Sequence, residues 1–437
     1  MKIEQTETSA RACIIGAGAS GMTTAKTLQE HGIAFDCFEK GSHIGGNWRY
    51  LNDNGQSAAY HSLHINSSKG RSCFSDFPMP DDYPEYPNHK QISAYFESYV
   101  NHFKFRDKII FNTEVQDVRP SADGAWQVEL AGGEKRNYRA VLVANGHHWD
   151  PRWPDFSGTF SGETLHAHAY KTPEMFRDRN VLIVGIGNSA VDIACDVCRV
   201  ACKTVVSTRR SAYILPKYAF GKPIDQFTTA TASYLPLPLQ RGLFRMLAFF
   251  ARGSQKSYGV PVPTHRFGSE HPTVSSDFLL RVGHGDIAIK PDIERFDDED
   301  VHFIDHTSGR FDVIIYATGY KISFPFLDPE ILSVQNNELN LYHNVVHPER
   351  PNLYFMGFLQ PLGAIMPLAE WQAKWVAGLL SGAYTLPDRA VMQHHIAKTR
   401  RQMRRRYFDS PRHTIQVDFF PYIRALRKEM RKNKNRH

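Results

Sequence analysis

A chain of 437 residues exceeds what one hydrophobic core organises and calls for two large domains; with 42% hydrophobic, 22% charged and 12% aromatic residues it is neither a disordered nor a collagen-like polymer. Six scattered cysteines argue against a disulfide framework, and no run reaches the roughly 18 uninterrupted apolar residues of a membrane-spanning helix. The net charge of +7 is concentrated at the end, where Lys398 to His437 carry 14 Lys or Arg against 3 Asp or Glu; without interleaved stacking aromatics or a binding motif, this reads as a solvated helical end and not a nucleic-acid site.

The N-terminus, "MKIEQTETSARA", is polar and lacks the apolar core of a signal peptide, which points to a reducing cytoplasm. Ala12 to Ile15 then read as a buried parallel strand. Gly16, Gly18 and Gly21 follow at GxGxxG spacing, with Ala19 and Ser20 inside the loop, and Met22 to His31 continue as a helix that stops at Gly32. The first glycine allows a tight turn, the second the approach of a pyrophosphate and the third close packing of helix on strand, while the helix N-terminus favours an anion. The next strand, "FDCFEK", sets Glu39 where a ribose-binding carboxylate belongs, 23 residues after Gly16. Residues 112–145 look like a small antiparallel excursion turning at "SADG", and "VLVANGHH" like the strand and turn that close the first nucleotide fold.

His166 and His168 stand two apart, with His147 and His148 upstream, but residues so spaced point to opposite faces of a strand and no compact metal-ligand set emerges. The glycine grammar then repeats. Strand 181–184 leads into Gly185, Gly187 and Ala190, a helix from Val191 to about Ala201, and the strand "TVVSTRR". This strand ends in Arg209 and Arg210, followed by Ser211, in place of an acid. Guanidinium groups bind a 2′-phosphate that a carboxylate would repel, so the second nucleotide reads as NADP. Two dinucleotide sites in one chain suggest a flavin and a nicotinamide brought face to face for hydride transfer. Cys195 and Cys198, the "CDVC" pair, fall within the second helix, where they and Cys202 form one stripe; a packed face suits them better than a redox pair. Residues 212–280 leave the alternating rhythm and read as an insertion that walls a substrate pocket or makes a dimer contact. Within it, 234–253 is broken by two prolines and three arginines and suits a buried or subunit contact better than a membrane surface.

"FSGETLHAHAYK", Phe160 to Lys171, resembles the fingerprint of flavin-containing monooxygenases and stands between the two glycine loops as it does there. "GGNWRY", "HSLHINSSK", "FSDFPMP", "GIGNSAVDIA", "YATGY" and "LQPLGAIMPLAEWQAKW" resemble that family's blocks, in its order, over nearly the whole chain. Tyr170 and Lys171 stand where related Baeyer–Villiger enzymes usually carry Trp followed by Pro or Asp, which favours the flavin-containing branch.

The resemblance implies an α/β fold of two Rossmann-like domains, the second inserted in the first: an FAD domain of residues 1–165 and 321–437, and an NADPH domain of 166–320. It implies that NADPH reduces FAD, that O2 is held as a C4a-hydroperoxyflavin, and that an amine, a thioether or indole takes the oxygen; Baeyer–Villiger oxidation of ketones and simple flavin or disulfide reduction are the alternatives. It places Asn66 at the flavin as the catalytic amide. Glu39, Asn47, Trp48, Ser67 and Gln360 join the first loop around FAD, while Asn188, Ser189, Arg209, Arg210 and Ser211 hold NADP. It also implies a homodimer, and the polar end "RKEMRKNKNRH" suggests a soluble protein of the bacterial type.

Overall fold

The computed structural model of the chain describes residues 10–122, 124–407, 410 and 413–432. The expectations resting on residues 1–9, on Asp123 in the "SADG" turn and on the final residues 433–437 lie outside the described residues. The chain folds into two units. One takes the N-terminal segment to Ser57, Lys69–Asp150 and the C-terminal segment from Lys321; the other takes Ala58–Ser68 and Pro151–Tyr320. The boundary expected at 165/166 thus falls at 150/151. Its cause is the strand Glu163–His166, which pairs in parallel with Val313–Tyr316 as the edge of the second unit's sheet. Residues 58–68, assigned from the sequence to the first domain, belong to the second unit.

In the first unit, β1 (Ala12–Ile15) runs into the glycine turn, α1 (Ala19–Glu30) packs back, and β2 (Phe35–Phe38) lies parallel to β1. All eight strand residues are buried, which is why β1 reads as an unbroken apolar run and β2 departs from one only at Asp36. The six-stranded sheet has Val346–His347 and Arg350–Phe355 on one side, then Ala140–Val143, β1, β2 and Ile109–Ile110. Asp36, inside β2, is stabilised by the Tyr138 hydroxyl at 2.7 Å and by Arg11. The excursion between the sheet strands is antiparallel, Val115–Pro120 with Trp126–Leu130 and Lys135–Tyr138. "FSDFPMP" serves the core here: Phe74 stacks on Tyr95, and Ser75 N–H donates at 2.8 Å to Glu370, a buried acid on the helix Met366–Leu380 that packs on α1.

The second unit repeats the plan. β3 (Asn180–Val184), α2 (Asn188–Val197) and β4 (Lys203–Ser207) follow one another, and the five-stranded sheet is parallel throughout, with Ala288–Lys290 outside β4 and Val313–Tyr316 inside β3. The second helix ends at Val197, earlier than expected, so Cys198 is its cap and the exposed Cys202 lies beyond it; there is no three-cysteine stripe. Within 212–280, α3 (Leu237–Arg252) buries only Ala248, with Leu239, Leu243, Met246, Phe249 and Phe250 exposed. Of the two contacts expected for this stretch, a buried one within the chain is not formed: the helix presents an exposed apolar face. Among the described residues, no helix is long and apolar enough to cross a membrane.

Candidate functional site: two glycine turns and a strapped asparagine

The two glycine turns are copies at the level of single hydrogen bonds. Gly16 N–H donates to Phe38 O at 2.7 Å and Ala144 N–H to Ile15 O at 2.9 Å; Gly185 N–H donates to Ser207 O at 2.9 Å and Ala317 N–H to Val184 O at 2.9 Å. Gly16 and Gly185 take φ of +100° and +120°, and a Cβ on either would stand 2.8 Å from Ala144 O or 2.7 Å from Ala317 O. Only glycine fits both the conformation and the wall. The third position tolerates less in the first turn, where a Cβ on Gly21 would come within 1.9 Å of Gly16 O, than in the second, where Ala190 is accommodated and 1% exposed. The walls themselves, Ala144 after "VLV" and Ala317 in "YATGY", were missed by sequence reasoning; the signal was there, a strand followed by a small residue in both halves.

Each turn presents a helix whose first turn holds neither a capping side chain nor an acid, with Gly18 and Gly187 at the N-caps. N–H groups and dipole are left for a pyrophosphate. Gly18 also faces Gly46, where a Cβ would lie 3.0 Å from Gly18 Cα, so the "GGNW" turn that carries Asn47 and Trp48 lies directly on the loop, with Gly45 N–H donating to Ala17 O at 3.1 Å. Ala19 and Ser20 open α1, and Ser20 Oγ occupies the space a Cβ on Gly357 would need. Gln360 begins a short strand paired with Gln416–Asp418.

Glu39, expected at the ribose, is tied into the loop itself. It is 3% exposed and accepts from Ala17 N–H at 2.8 Å, Gly41 N–H at 2.9 Å and Asn54 Nδ2 at 3.0 Å. Three of its roughly four acceptor sites are filled by the protein, which leaves room for one ribose hydroxyl. Asn52 extends the network by donating to Gly46 O at 3.0 Å. Neither Asn52 nor Asn54 was singled out, since lone asparagines in a loop carry no pattern.

At the second turn, Arg209 and Arg210 are exposed just past β4. Ser189 is on the first turn of α2, partly exposed. Two neighbours are otherwise engaged. Asn188 Oδ1 accepts from Val274 N–H at 2.8 Å, and Ser211 is buried with its hydroxyl donating to Pro261 O at 2.6 Å, so the one proton it could offer a phosphate is used inside the unit.

Asn66 lies on the segment 58–68, which is strapped across α2. Tyr60 donates to Asp192 at 2.7 Å; Ser62 and Tyr170 both donate to Asp196, Tyr170 at 3.2 Å; Lys171 donates to Ala59 O at 3.1 Å. Asp192 and Asp196 sit at i, i+4 on one helix face, and the fingerprint's Tyr170, fully buried between Tyr60 and Phe176, completes the clasp. Burial pushes the Asp192 carboxyl up to about 6. Asn66 Oδ1 and Ser68 Oγ are buried with no hydrogen-bond partner, which suits groups that await a ligand. Ser67 stands between them, partly exposed.

The remaining candidates are inert or structural. Burial raises the thiols of Cys195 and Cys198, and Cys198 Sγ is turned to Cys195 O at 3.4 Å, an arrangement unsuited to thiolate chemistry. His166 closes the edge strand, accepts from His168 N–H at 3.1 Å through Nδ1, and is lowered to about 4 by burial. His147 is lowered by burial and by His148. Among the described residues no group of three or more His, Cys, Asp or Glu could hold a metal ion. A cavity of about 350 Å³ in the first unit is lined by the helix Arg389–Arg406 and its neighbours, and none of the residues above lines it except through the strand of Gln416.

The sequence model of the family described as flavin-binding monooxygenase-like matches residues 9–435. Flavin-containing monooxygenase 5 of Mus musculus is 37% identical over 437 residues, covering 95% of this chain and 82% of its own length. Dimethylaniline monooxygenase (N-oxide-forming) 2 of Rattus norvegicus is 32% identical, covering 96% and 82%. Among solved structures, the S-allyl-L-cysteine S-oxygenase of Allium sativum has a TM-score of 0.73 at 26% identity, over 98% of this chain and 90% of that one. Cyclohexanone monooxygenase in its closed form shares the fold, with a TM-score of 0.73 at 17% identity over 97% of both chains.

Proposed function

This chain belongs to the flavin-binding monooxygenase-like family, and from that premise we propose how its own residues divide the work. The protein is a flavoprotein monooxygenase that uses FAD and NADPH. When bound, FAD would supply the redox chemistry between NADPH and O2, one oxygen atom going to a nitrogen or sulfur lone pair and the other, with two protons and the hydride's two electrons, leaving as water. The observation that carries the reading is the pair of matched glycine turns, of which only the second ends in arginines.

FAD is assigned to the first unit. The uncapped N-terminus of α1 receives its pyrophosphate, Glu39 offers its remaining lone pair to the ribose, and Asn47, Trp48 and Gln360 belong to the flavin end. NADPH is assigned to the second unit, with Gly187, Asn188 and Ser189 at the pyrophosphate and Arg209 and Arg210 at the 2′-phosphate; Ser211 supports that turn from within. Asn66 supplies the uncharged amide at the reacting end, a group that accepts and donates without titrating, and so holds a polar oxygen species without protonating it outright.

Soft amines and thioethers are the proposed substrates, in keeping with the N-oxide-forming and S-oxygenase names of the relatives. The ketone alternative is not favoured, since the relatives named for their reaction at 26% identity or more are N-oxide-forming or an S-oxygenase. A cytoplasmic homodimer completes the reading, and a light-scattering mass near twice 49.8 kDa is its test. The decisive experiment is stopped-flow absorbance of NADPH-reduced protein mixed with oxygenated buffer. A long-lived species distinct from oxidised flavin, discharged faster by trimethylamine or a thioether than by cyclohexanone, is expected. Immediate return to oxidised flavin would make the protein a reductase.

A further inference from the structure

The insertion at 212–280 reaches the strap. A hairpin, Tyr218–Ala219 against Lys222–Pro223, turns at Phe220 and Gly221, both with positive φ of +49° and +76°, as a two-residue hairpin turn of this hand requires. It delivers a single turn of 3-10 helix, Ile224–Phe227, in a fixed place: Ile224 is buried, its N–H donates to Lys217 O at 2.9 Å, and Asp225 O accepts from Thr228 Oγ1 at 2.6 Å. From there the Asp225 side chain accepts from Ser68 N–H at 2.7 Å through Oδ2. Its other oxygen, Oδ1, is buried with no partner, as are Ser68 Oγ and Asn66 Oδ1.

The strap is therefore anchored at both ends, with Asn66 Oδ1 unpartnered between them. Tyr60 and Ser62 fix its start to α2; Asp225 fixes its end, two residues beyond Asn66. A carboxylate on a buried backbone N–H is among the stronger neutral–ion contacts, and without it the amide of Ser68 would stand unsatisfied. We propose that Asp225 is a positioning residue for Asn66: it holds the backbone that aims the amide, and its second oxygen joins Asn66 Oδ1 and Ser68 Oγ in a buried set that takes N–H or O–H donors from the bound nucleotide or from water. This rests on the assignment of Asn66 to the reacting end. It gives the insertion, the segment least legible in the sequence, a part in aligning the reaction.

Asp225→Ala and Asp225→Asn are compared with wild type in the FAD-loaded protein. An asparagine side chain still offers an oxygen to Ser68 N–H; alanine offers none. Hydrogen–deuterium exchange of the peptide spanning residues 64–70 reads the anchor directly, independently of turnover. At least tenfold faster exchange in Asp225→Ala, restored to within about threefold by Asp225→Asn, is expected, together with a several-fold larger share of consumed NADPH appearing as hydrogen peroxide in Asp225→Ala alone. Wild-type exchange in Asp225→Ala would overturn the anchor. Asn66→Ala is measured in parallel. If it wastes NADPH while Asp225→Ala, though exchanging faster, does not, the positioning role is refuted; if Asn66→Ala itself stays coupled, the assignment of Asn66 fails instead, and Asp225 loses its role with it. Asp225→Ser, polar but too short to reach, serves as the second variant should the alanine variant not fold.

Discussion

Replacing Glu39 separates a residue that holds a cofactor from one that holds the fold. The carboxylate takes three buried donors, two of them backbone N–H groups, and each charge-assisted bond of this kind contributes about 1.5–3 kcal/mol. Glu39→Ala strands all three donors and opens a void, so even after partial relaxation about 4 kcal/mol or more should be lost. Glu39→Gln keeps the oxygen that serves Gly41 and Asn54 but turns an amide NH2 against Ala17 N–H, so the loss should be about half as large, near 2 kcal/mol. The assay is equilibrium urea unfolding of the FAD-stripped protein, where cofactor binding cannot enter, followed by the same titration with FAD restored. A stripped Glu39→Ala protein within about 1 kcal/mol of wild type, yet unable to retain FAD, would refute the structural assignment and return the carboxylate wholly to the ribose.

Asp192 carries a pH signature. Burial raises its carboxyl to about 6 from an ordinary value of 3.8, so the folded state holds the proton more tightly than the unfolded chain. The associated stability is complete below about pH 3.8 and is lost as pH rises through about 6, an effect of about 2–3 kcal/mol. Asp192→Asn, which still accepts from Tyr60, should therefore gain on wild type between pH 4 and pH 7, and parallel denaturation curves at the two pH values would contradict the shift. Arg210→Ala, and more so the Arg209→Ala/Arg210→Ala pair, should raise KM for NADPH tenfold or more with little change for NADH; an unaltered ratio would remove both from the 2′-phosphate. Cys195→Ala with Cys198→Ala should leave NADPH-driven oxygenation within about twofold of wild type, since neither thiol is poised for exchange; its abolition would revive a disulfide route.

What was legible in the sequence followed from short-range rules. Strand, glycine turn, helix and strand occupy consecutive residues, so the turn geometry at Gly16, Gly21, Gly185 and Ala190 could be read with its reasons, and the places of Glu39 and Arg209 past the next strands by counting from it. What escaped depends on pairings across long separations. Tyr60 meets Asp192 and Ser68 meets Asp225 across more than 100 residues, and nothing local to "HSLHINSSK" announces that it will leave one unit for the other. The fingerprint was visible as a string, yet its Tyr170 gained a physical role only once Asp196 stood opposite it. Ser211 misled for the opposite reason: its spacing matched a phosphate ligand, but a left-handed φ of +57° turns its hydroxyl inward to Pro261.

The split composition of the second unit also sets a timetable. Residues 58–68 leave the ribosome long before the helix they will clasp, and the sheet is complete only with Tyr316. At about 5–20 residues per second the strap waits roughly 13–50 s for residues 69–320 to be made. For roughly the first 6–25 s of it, until residue 192 is made, Tyr60 has no carboxylate, and Asn66 has no fixed direction until Asp225 follows. Expressing 151–320 alone would leave Asp192 and Asp196 without two of their donors, so any effort to isolate, permute or graft this unit must carry the early segment with it.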